Sequence, residues 1–184
     1  MALTPSNMLP LGTIAPSFDL PDVVSGENKS LDSMKSDKGM VVMFICNHCP
    51  FVIHVNDEIV KIANHYQEKG IKFIAISSND VENYPADAPD KMKELAADLK
   101  YPFPYLYDES QDVAKSYDAA CTPDFYVFDG FMKLVYRGRM DGSTPGNGVP
   151  ITGLDLRNAI DALLSDGDQS QEQIPSMGCN IKWK

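Results

Sequence analysis

The chain has 184 residues, of which 43% are hydrophobic, and this length supports one sizeable core rather than two. Its 26 acidic and 16 basic residues give a net charge of −10, which argues against nucleic-acid and anionic membrane partners. The chain has neither a run of about 18 apolar residues nor an apolar signal segment, so we expect a soluble, cytoplasmic protein. We expect one domain over residues 1–184, which ends in an extended tail from about residue 168.

The first half of the chain alternates between segments typical of strands and of helices. A turn-rich stretch, residues 15–31, indicates two short strands before the core. The apolar run MVVMFI, residues 40–45, has the length of a strand buried on both faces. A helix of about five turns should follow, because apolar side chains recur at steps of three and four: Phe51, Val55, Ile59, Ile62 and Tyr66. A strand over residues 71–77 and a helix from Pro89 repeat the alternation, which predicts a parallel sheet.

The second half predicts an antiparallel end to this sheet. After FPYLY, residues 103–107, and a short helical segment, two strand-like runs flank Asp129-Gly130, a strong hairpin signal. Arg137 and Arg139 lie beyond this turn, and we expect both to be solvated strand residues. A final helix should begin at a Thr152 cap and run to about residue 164. Together the elements predict an α/β fold with a central mixed sheet and helices on both faces.

The sequence CNHCP, residues 46–50, stands between the strand at 40–45 and the long helix. Its cysteines, Cys46 and Cys49, are one helical turn apart, and the first turn of a helix offers unpaired N–H groups and a positive dipole that stabilise a thiolate. We expect Cys46 to be the low-pKa nucleophile and Cys49 to resolve the mixed disulfide formed on it. His48, when protonated, favours the thiolate, so that His48 and Asn47 modulate the pair.

With these residues, the chain resembles the thioredoxin-fold redoxins, in particular the peroxiredoxin-like branch of the alkyl-hydroperoxide-reductase and thiol-specific-antioxidant (AhpC/TSA) family. The resemblance rests on APSFDLPD, MFICNHCPFV, FPYLYDESQDVAKSYDAACTPDFYVFD and PSMGCNIKWK. It implies a thioredoxin-like fold with an N-terminal strand-pair extension and an inserted helix-strand unit. It also implies that Thr122-Pro123 is a cis-proline loop, which binds the disulfide partner beside the two cysteines.

The resemblance implies a thiol–disulfide oxidoreductase that needs no cofactor. Its substrate would be a disulfide-containing protein or small molecule, and thioredoxin or glutathione would supply the electrons. One departure concerns the proton, because Met40 occupies the position at which thioredoxins carry an acidic residue, six before the first cysteine. Proton transfer must therefore come from elsewhere.

A second departure concerns peroxide chemistry. When the peroxiredoxin pattern PxxxTxxC is aligned on Cys49, Val42 replaces the proline and Cys46 replaces the threonine. An atypical thiol peroxidase that uses Cys49 or Cys46 remains an alternative function, although we expect a slow reaction with hydrogen peroxide.

Two further cysteines are candidate accessory thiols. Cys121 precedes the Thr-Pro pair, and we expect either a small buried side chain or a third thiol near the site. Cys179 lies in the tail, where a loose exposed thiol is the simplest interpretation. If Trp183 and Ile181 dock that tail, Cys179 gains a redox role.

Two alternatives from other classes remain. Cys46, His48 and Cys49 could hold a metal ion, but a closed zinc site needs four ligands and the sequence has no second close pair of cysteines or histidines. We therefore expect no metal. The other alternative is a non-enzymatic thioredoxin-fold module, which would be favoured if the thiols were unreactive.

Overall fold

The computed structural model describes residues 3–165, 167 and 172–184. In chain order, its first elements are β1 (Leu3–Pro5), β2 (Asp19–Pro21), β3 (Asn28–Ser30), α1 (Leu31–Met34), β4 (Met40–Phe44), α2 (Pro50–Gln67) and β5 (Lys72–Ser77). A 3₁₀ turn (Pro85–Asp87) then precedes α3 (Pro89–Asp98), β6 (Tyr105–Tyr107), α4 (Asp112–Ser116), β7 (Cys121–Thr122), β8 (Asp124–Phe128), β9 (Leu134–Gly138), α5 (Leu154–Leu164) and β10 (Met177–Asn180).

The central sheet has five strands in the order β6-β5-β4-β8-β9. Strands β4, β5 and β6 are parallel, whereas β8 and β9 are antiparallel to their neighbours. All five residues of β4 are buried, as its continuous apolar run predicts for a strand with both faces covered. The mixed sheet, the strand pair β2–β3 before it and the hairpin β8–β9 are confirmed.

Helices cover both faces of this sheet. One face packs against α2, α3 and α5, and the other against α1, α4 and the β2–β3 pair. The apolar stripe of α2 is confirmed, because Val55, Ile59, Ile62 and Tyr66 are buried. The α/β thioredoxin-like fold expected from the sequence is thus confirmed. None of the helices in the described part of the chain is long and apolar enough to cross a membrane.

Two local expectations are wrong. Helix α5 does not begin at a Thr152 cap, because its N-cap is Gly153, with a φ of 65°. The carboxylate of Asp141 accepts hydrogen bonds from the backbone N–H groups of Thr152 and Gly153, at 2.7 and 2.6 Å.

Arg137 is fully buried rather than solvated, and its Nη2 lies 3.0 Å from Asp124 Oδ2. Burial raises the pKa of Asp124 to about 6, against the opposing effect of the Arg137 charge.

The C-terminal residues form part of a second sheet instead of a loose tail. Strand β10 lies between β1 and β7 in the order β1-β10-β7, antiparallel to both. The first residues of the predicted tail, 168–171, lie outside the described residues. Because β7 ends one residue before Pro123, this small sheet brings the C-terminus to the proline loop.

Candidate active site

The two cysteines of CNHCP lie where β4 ends and α2 begins, as expected. Helix α2 starts at Pro50, so Cys49 is its N-cap, and the Cys49 carbonyl accepts hydrogen bonds from Val52 N and Ile53 N, both at 3.0 Å. Cys46 precedes the helix by four residues. Both side chains are buried, with exposed fractions of 1% for Cys46 and 0% for Cys49. Access to either sulfur therefore requires a neighbouring segment to move.

Hydrogen bonding assigns the negative charge of the pair to Cys49. The pKa of Cys49 is lowered to about 4, and the largest cause is a hydrogen bond that the Cys46 thiol donates to it. Burial of Cys49 opposes this shift, whereas hydrogen bonds from the Cys179 thiol and the Val52 N–H lower the pKa further. The hydrogen bond from Cys46 to Cys49 raises the pKa of Cys46, with further contributions from burial and from the charge of Asp87. These contacts favour Cys49 rather than Cys46 as the thiolate, whereas the role of Cys46 as the nucleophile stays a prediction.

The Thr122-Pro123 loop packs against both sulfurs. Its peptide bond is cis, which confirms the conformation implied by the resemblance. Thr122 Oγ1 lies 3.5 Å from Cys46 Sγ, and the protonated form of Cys49 can donate to Thr122 O at 3.3 Å. The loop and the dithiol therefore form one site, although the role of the loop in binding a substrate stays a prediction.

A buried carboxylate that the sequence did not identify organises the residues between the cysteines. Asp87 has no exposed surface, and its Oδ1 accepts hydrogen bonds from Asn47 N at 2.8 Å and His48 N at 3.2 Å. Its Oδ2 lies 2.6 Å from His48 Nδ1 and accepts a hydrogen bond from Asn79 Nδ2 at 2.7 Å. The His48 ring also stacks on Tyr84. Hydrogen bonds from Asn47 and His48 thus hold the CNHC segment against the buried carboxylate of Asp87.

The position of Asp87 in the sequence gives only a weak indication that it belongs to the site. It lies in the loop after β5, and the carboxyl ends of the parallel strands β4 and β5 meet at the same edge of the sheet. The loop after β5 therefore lies near CNHCP. Nothing in the sequence distinguishes Asp87 from the other acids nearby, Asp80, Glu82 and Asp90.

The two accessory cysteines differ in their relation to the site. Cys179 is 3% exposed and its Sγ lies 2.7 Å from Cys49 Sγ, so a loose exposed thiol is the wrong interpretation. Ile181 is buried as well, and the tail is docked. Cys121 is fully buried on β7, and burial raises its pKa. Because successive strand residues face opposite sides, its side chain points away from that of Thr122.

The site also contains three side chains that could ligate a metal ion. One ligand atom from each of Cys46, His48 and Asp87 lies within 4.8 Å of the other two, and no other such trio occurs in the described ranges. The sequence-based set of Cys46, His48 and Cys49 is therefore not the one that the structure brings together. A closed zinc site needs a fourth ligand, and His48 Nδ1 is already bonded to Asp87, so the donors fit zinc only in part.

We expect the reduced protein to contain one thiolate far below the ordinary cysteine pKa. An ultraviolet titration of thiolate absorbance should show this step in the wild type and not in Cys49→Ser. In Cys46→Ser the step should remain at a higher pKa, because the largest cause of the shift is the Cys46 thiol. A step lost in Cys46→Ser and kept in Cys49→Ser would contradict the assignment.

Stability provides a second measurement of the same shift. The pKa of Cys49 is lower in the folded state than in the unfolded chain, so the thiolate contributes stability that is complete above about pH 9 and is lost as the pH falls towards 4. The free energy of unfolding of the reduced wild type, relative to that of Cys49→Ser, should therefore rise with pH across this window.

Comparison with known proteins adds a family and close structural relatives. The model of the AhpC/TSA family matches residues 11–137. The chain is 57% identical to an uncharacterized conserved protein from Geobacillus kaustophilus, covering 100% of this chain and 97% of that one with a TM-score of 0.98. It is 44% identical to a hypothetical protein from Sinorhizobium meliloti 1021, covering 98% of each chain with a TM-score of 0.96.

More distant structures share the fold. The thioredoxin domain of a thiol-disulfide oxidoreductase from Bacteroides vulgatus is 21% identical over 85% of this chain and 99% of that one, with a TM-score of 0.66. At this identity the similarity establishes the fold alone. No significant match was found among curated proteins.

Proposed function

The chain belongs to the AhpC/TSA family, and on that premise we propose that it is a thiol–disulfide oxidoreductase whose redox centre is the Cys46–Cys49 dithiol. One observation carries the proposal: Cys49 lies at the start of a helix and against a cis-proline loop, where hydrogen bonds, above all that from the second thiol, lower its pKa. The thiolate is the reactive form of cysteine, and a neighbouring thiol can release what it binds.

The reaction needs only these two sulfurs and a disulfide. The Cys49 thiolate attacks one sulfur of the substrate, forming a mixed disulfide while the other substrate sulfur leaves as a thiolate and takes up a proton. Cys46 then loses its proton and attacks Cys49 Sγ, which displaces the second substrate sulfur. Two electrons pass to the substrate, and a Cys46–Cys49 disulfide remains. Relative to the sequence-based expectation, the two cysteines exchange roles.

The surroundings of Pro123 favour an extended substrate with an apolar side chain near its disulfide. A groove of about 140 Å³ opens beside the loop, with Phe51, Pro123, Met140 and Ile174 among its lining residues. Arg139 and Asp141 supply charges at the same groove. A disulfide-containing protein or a small disulfide would bind here, and thioredoxin or glutathione would return the enzyme to its dithiol form.

Thiol peroxidase activity is the alternative, and the surroundings of Cys49 do not favour it. Val42 and Cys46 occupy the positions of the proline and threonine of the peroxidase pattern. A peroxide at Cys49 would therefore lack the threonine hydroxyl that orients it in that pattern.

Turnover of two oxidants by the same protein tests the proposal. With glutathione as reductant, we expect the protein to reduce insulin disulfides well above the uncatalysed rate, and to react with hydrogen peroxide no faster than an ordinary thiolate. The control is the double variant Cys46→Ser/Cys49→Ser, which keeps Cys121 and Cys179. Rapid peroxide consumption without insulin reduction would identify a peroxidase, and failure of both reactions would leave a binding module.

A further inference from the structure

Strand β10 occupies the backbone edge at which a substrate would meet the dithiol. It pairs with β7 so that Cys179 is opposite Thr122 and Asn180 is opposite Cys121. Thr122 is the residue before the cis proline, and its side chain and carbonyl contact both catalytic sulfurs. Strand β10, which contains Cys179, thus covers the backbone edge at Thr122 where a substrate would bind.

The close approach of β10 depends on Gly178. A Cβ atom at this position would lie 2.0 Å from Thr122 O, a backbone atom that cannot turn aside. Beyond the strand, Ile181 is 1% exposed and donates its N–H to Ala120 O at 3.0 Å. Lys182 N donates to Asn79 Oδ1 at 2.8 Å, and Asn79 also bonds the buried Asp87. The docked segment is therefore continuous with the network beneath the CNHC motif.

Docking brings Cys179 into contact with the reactive sulfur. The two Sγ atoms of Cys49 and Cys179 are 2.7 Å apart, only about 0.7 Å more than a covalent disulfide bond. Cys121, buried to the same degree on the neighbouring strand, makes no such contact with Cys49. Burial alone does not explain the arrangement, because a small buried side chain needs neither this contact nor a glycine beside it.

We propose that Cys179 is a third redox-active thiol of this site, which forms a disulfide with Cys49 when β10 docks. The inference rests on the proposed function, since it needs Cys49 to have exchanged with a substrate disulfide. It assigns β10 a part in catalysis: the strand leaves the Thr122 edge to admit the substrate and returns to expel the product.

The exchange balances without another reactant. A substrate sulfur is first bound to Cys49 as a mixed disulfide. Cys179 Sγ attacks Cys49 Sγ, the bond from Cys49 to the substrate breaks, and the proton of Cys179 passes to the departing substrate thiolate. The two electrons of the dithiol Cys49 and Cys179 have then reduced the substrate disulfide. Attack of Cys46 on Cys49 moves the disulfide to Cys46–Cys49 and returns Cys179 to a thiol with no net redox change.

Disulfide mapping in the full-length protein tests this role. The reduced wild type, Cys46→Ser and Cys46→Ser/Cys179→Ala are treated with glutathione disulfide, alkylated, digested and analysed by mass spectrometry. We expect Cys46→Ser to yield a Cys49–Cys179 linked peptide and little bound glutathione. The double variant should instead retain glutathione on Cys49, because neither resolving thiol is left. Cys121→Ala is the control and should match the wild type.

The outcomes separate the two proposals. If Cys46→Ser accumulates glutathione on Cys49 while Cys179 is alkylated, Cys179 is not redox-active, whereas the oxidoreductase proposal stands. If Cys49 takes up no glutathione in any variant, both proposals are overturned.

Gly178→Ala tests the contribution of docking without changing any thiol. The added methyl group should detach β10 from Thr122, so that the linked Cys49–Cys179 peptide is lost. Alkylation of reduced Cys49 should become faster by about tenfold or more, equivalent to about 1.4 kcal/mol of lost docking free energy. An unchanged alkylation rate together with an undiminished linked peptide would show that β10 does not control the exchange, and would overturn its assigned part in catalysis.

Discussion

Replacement of Cys49 by serine is expected to abolish disulfide exchange, with a loss in rate on the order of a thousandfold or more. The substitution removes the sulfur that bears the charge of the site, and a serine hydroxyl in the same place stays protonated at neutral pH and cannot form a disulfide. None of the other cysteines can substitute for it. Burial and hydrogen bonding raise the pKa of Cys46 and that of Cys179, and burial raises that of Cys121.

A comparison with Cys46→Ser decides which cysteine is the nucleophile and which resolves the mixed disulfide. The rate of each step is measured in a single turnover. This variant should keep the first step, the attack on the substrate disulfide, although more slowly at low pH because Cys49 loses its largest stabilising hydrogen bond. Loss of the first step in Cys46→Ser and its retention in Cys49→Ser would restore the order of roles suggested by the sequence. Cys121→Ala controls for the loss of a buried thiol.

The sequence predicted the frame of this site because its signals are local. A buried strand, a CxxC motif and an amphipathic helix follow one another directly, and their order determines that the cysteines lie at a strand-to-helix junction. The position of the negative charge is not a local signal. It depends on which thiol donates a hydrogen bond to which, and the pattern of the sequence does not encode that contact.

The remaining parts of the site depend on contacts between distant residues. Cys179 meets Cys49 across 130 positions, and Asp87 meets Asn47 across 40. Arg137 shows the same limit, since this arginine is buried where it lies opposite Tyr126 and forms an ion pair with Asp124 of the same neighbouring strand. No periodicity encodes such pairings, and each is decided by how the elements pack.

Replacement of Asp87 by asparagine should slow the release step, in which Cys46 resolves the mixed disulfide, by about a hundredfold. Cys46 must lose its proton in this step, and burial and the charge of Asp87 both raise its pKa, so the proton needs an acceptor close to the sulfur. Asp87 is the nearby group able to accept that proton, since its carboxylate lies within 4.8 Å of Cys46 Sγ and is bonded to His48. It thereby supplies from the loop after β5 the acid that Met40 lacks. Asparagine keeps the size and one oxygen for the backbone N–H groups of Asn47 and His48, but cannot take up a proton.

The release step is isolated in a Cys179→Ala background, where Cys46 is the only resolving thiol in contact with Cys49. With Asp87 present, the rate should be nearly independent of pH about neutrality, whereas in Asp87→Asn it should rise with pH, because hydroxide must then remove the proton. Glu82→Gln, an exposed acid in the same loop, is the matched control. If Asp87→Asn slowed attack and release equally, with a lower free energy of unfolding and an unchanged pH profile, Asp87 would only hold the CNHC segment in place.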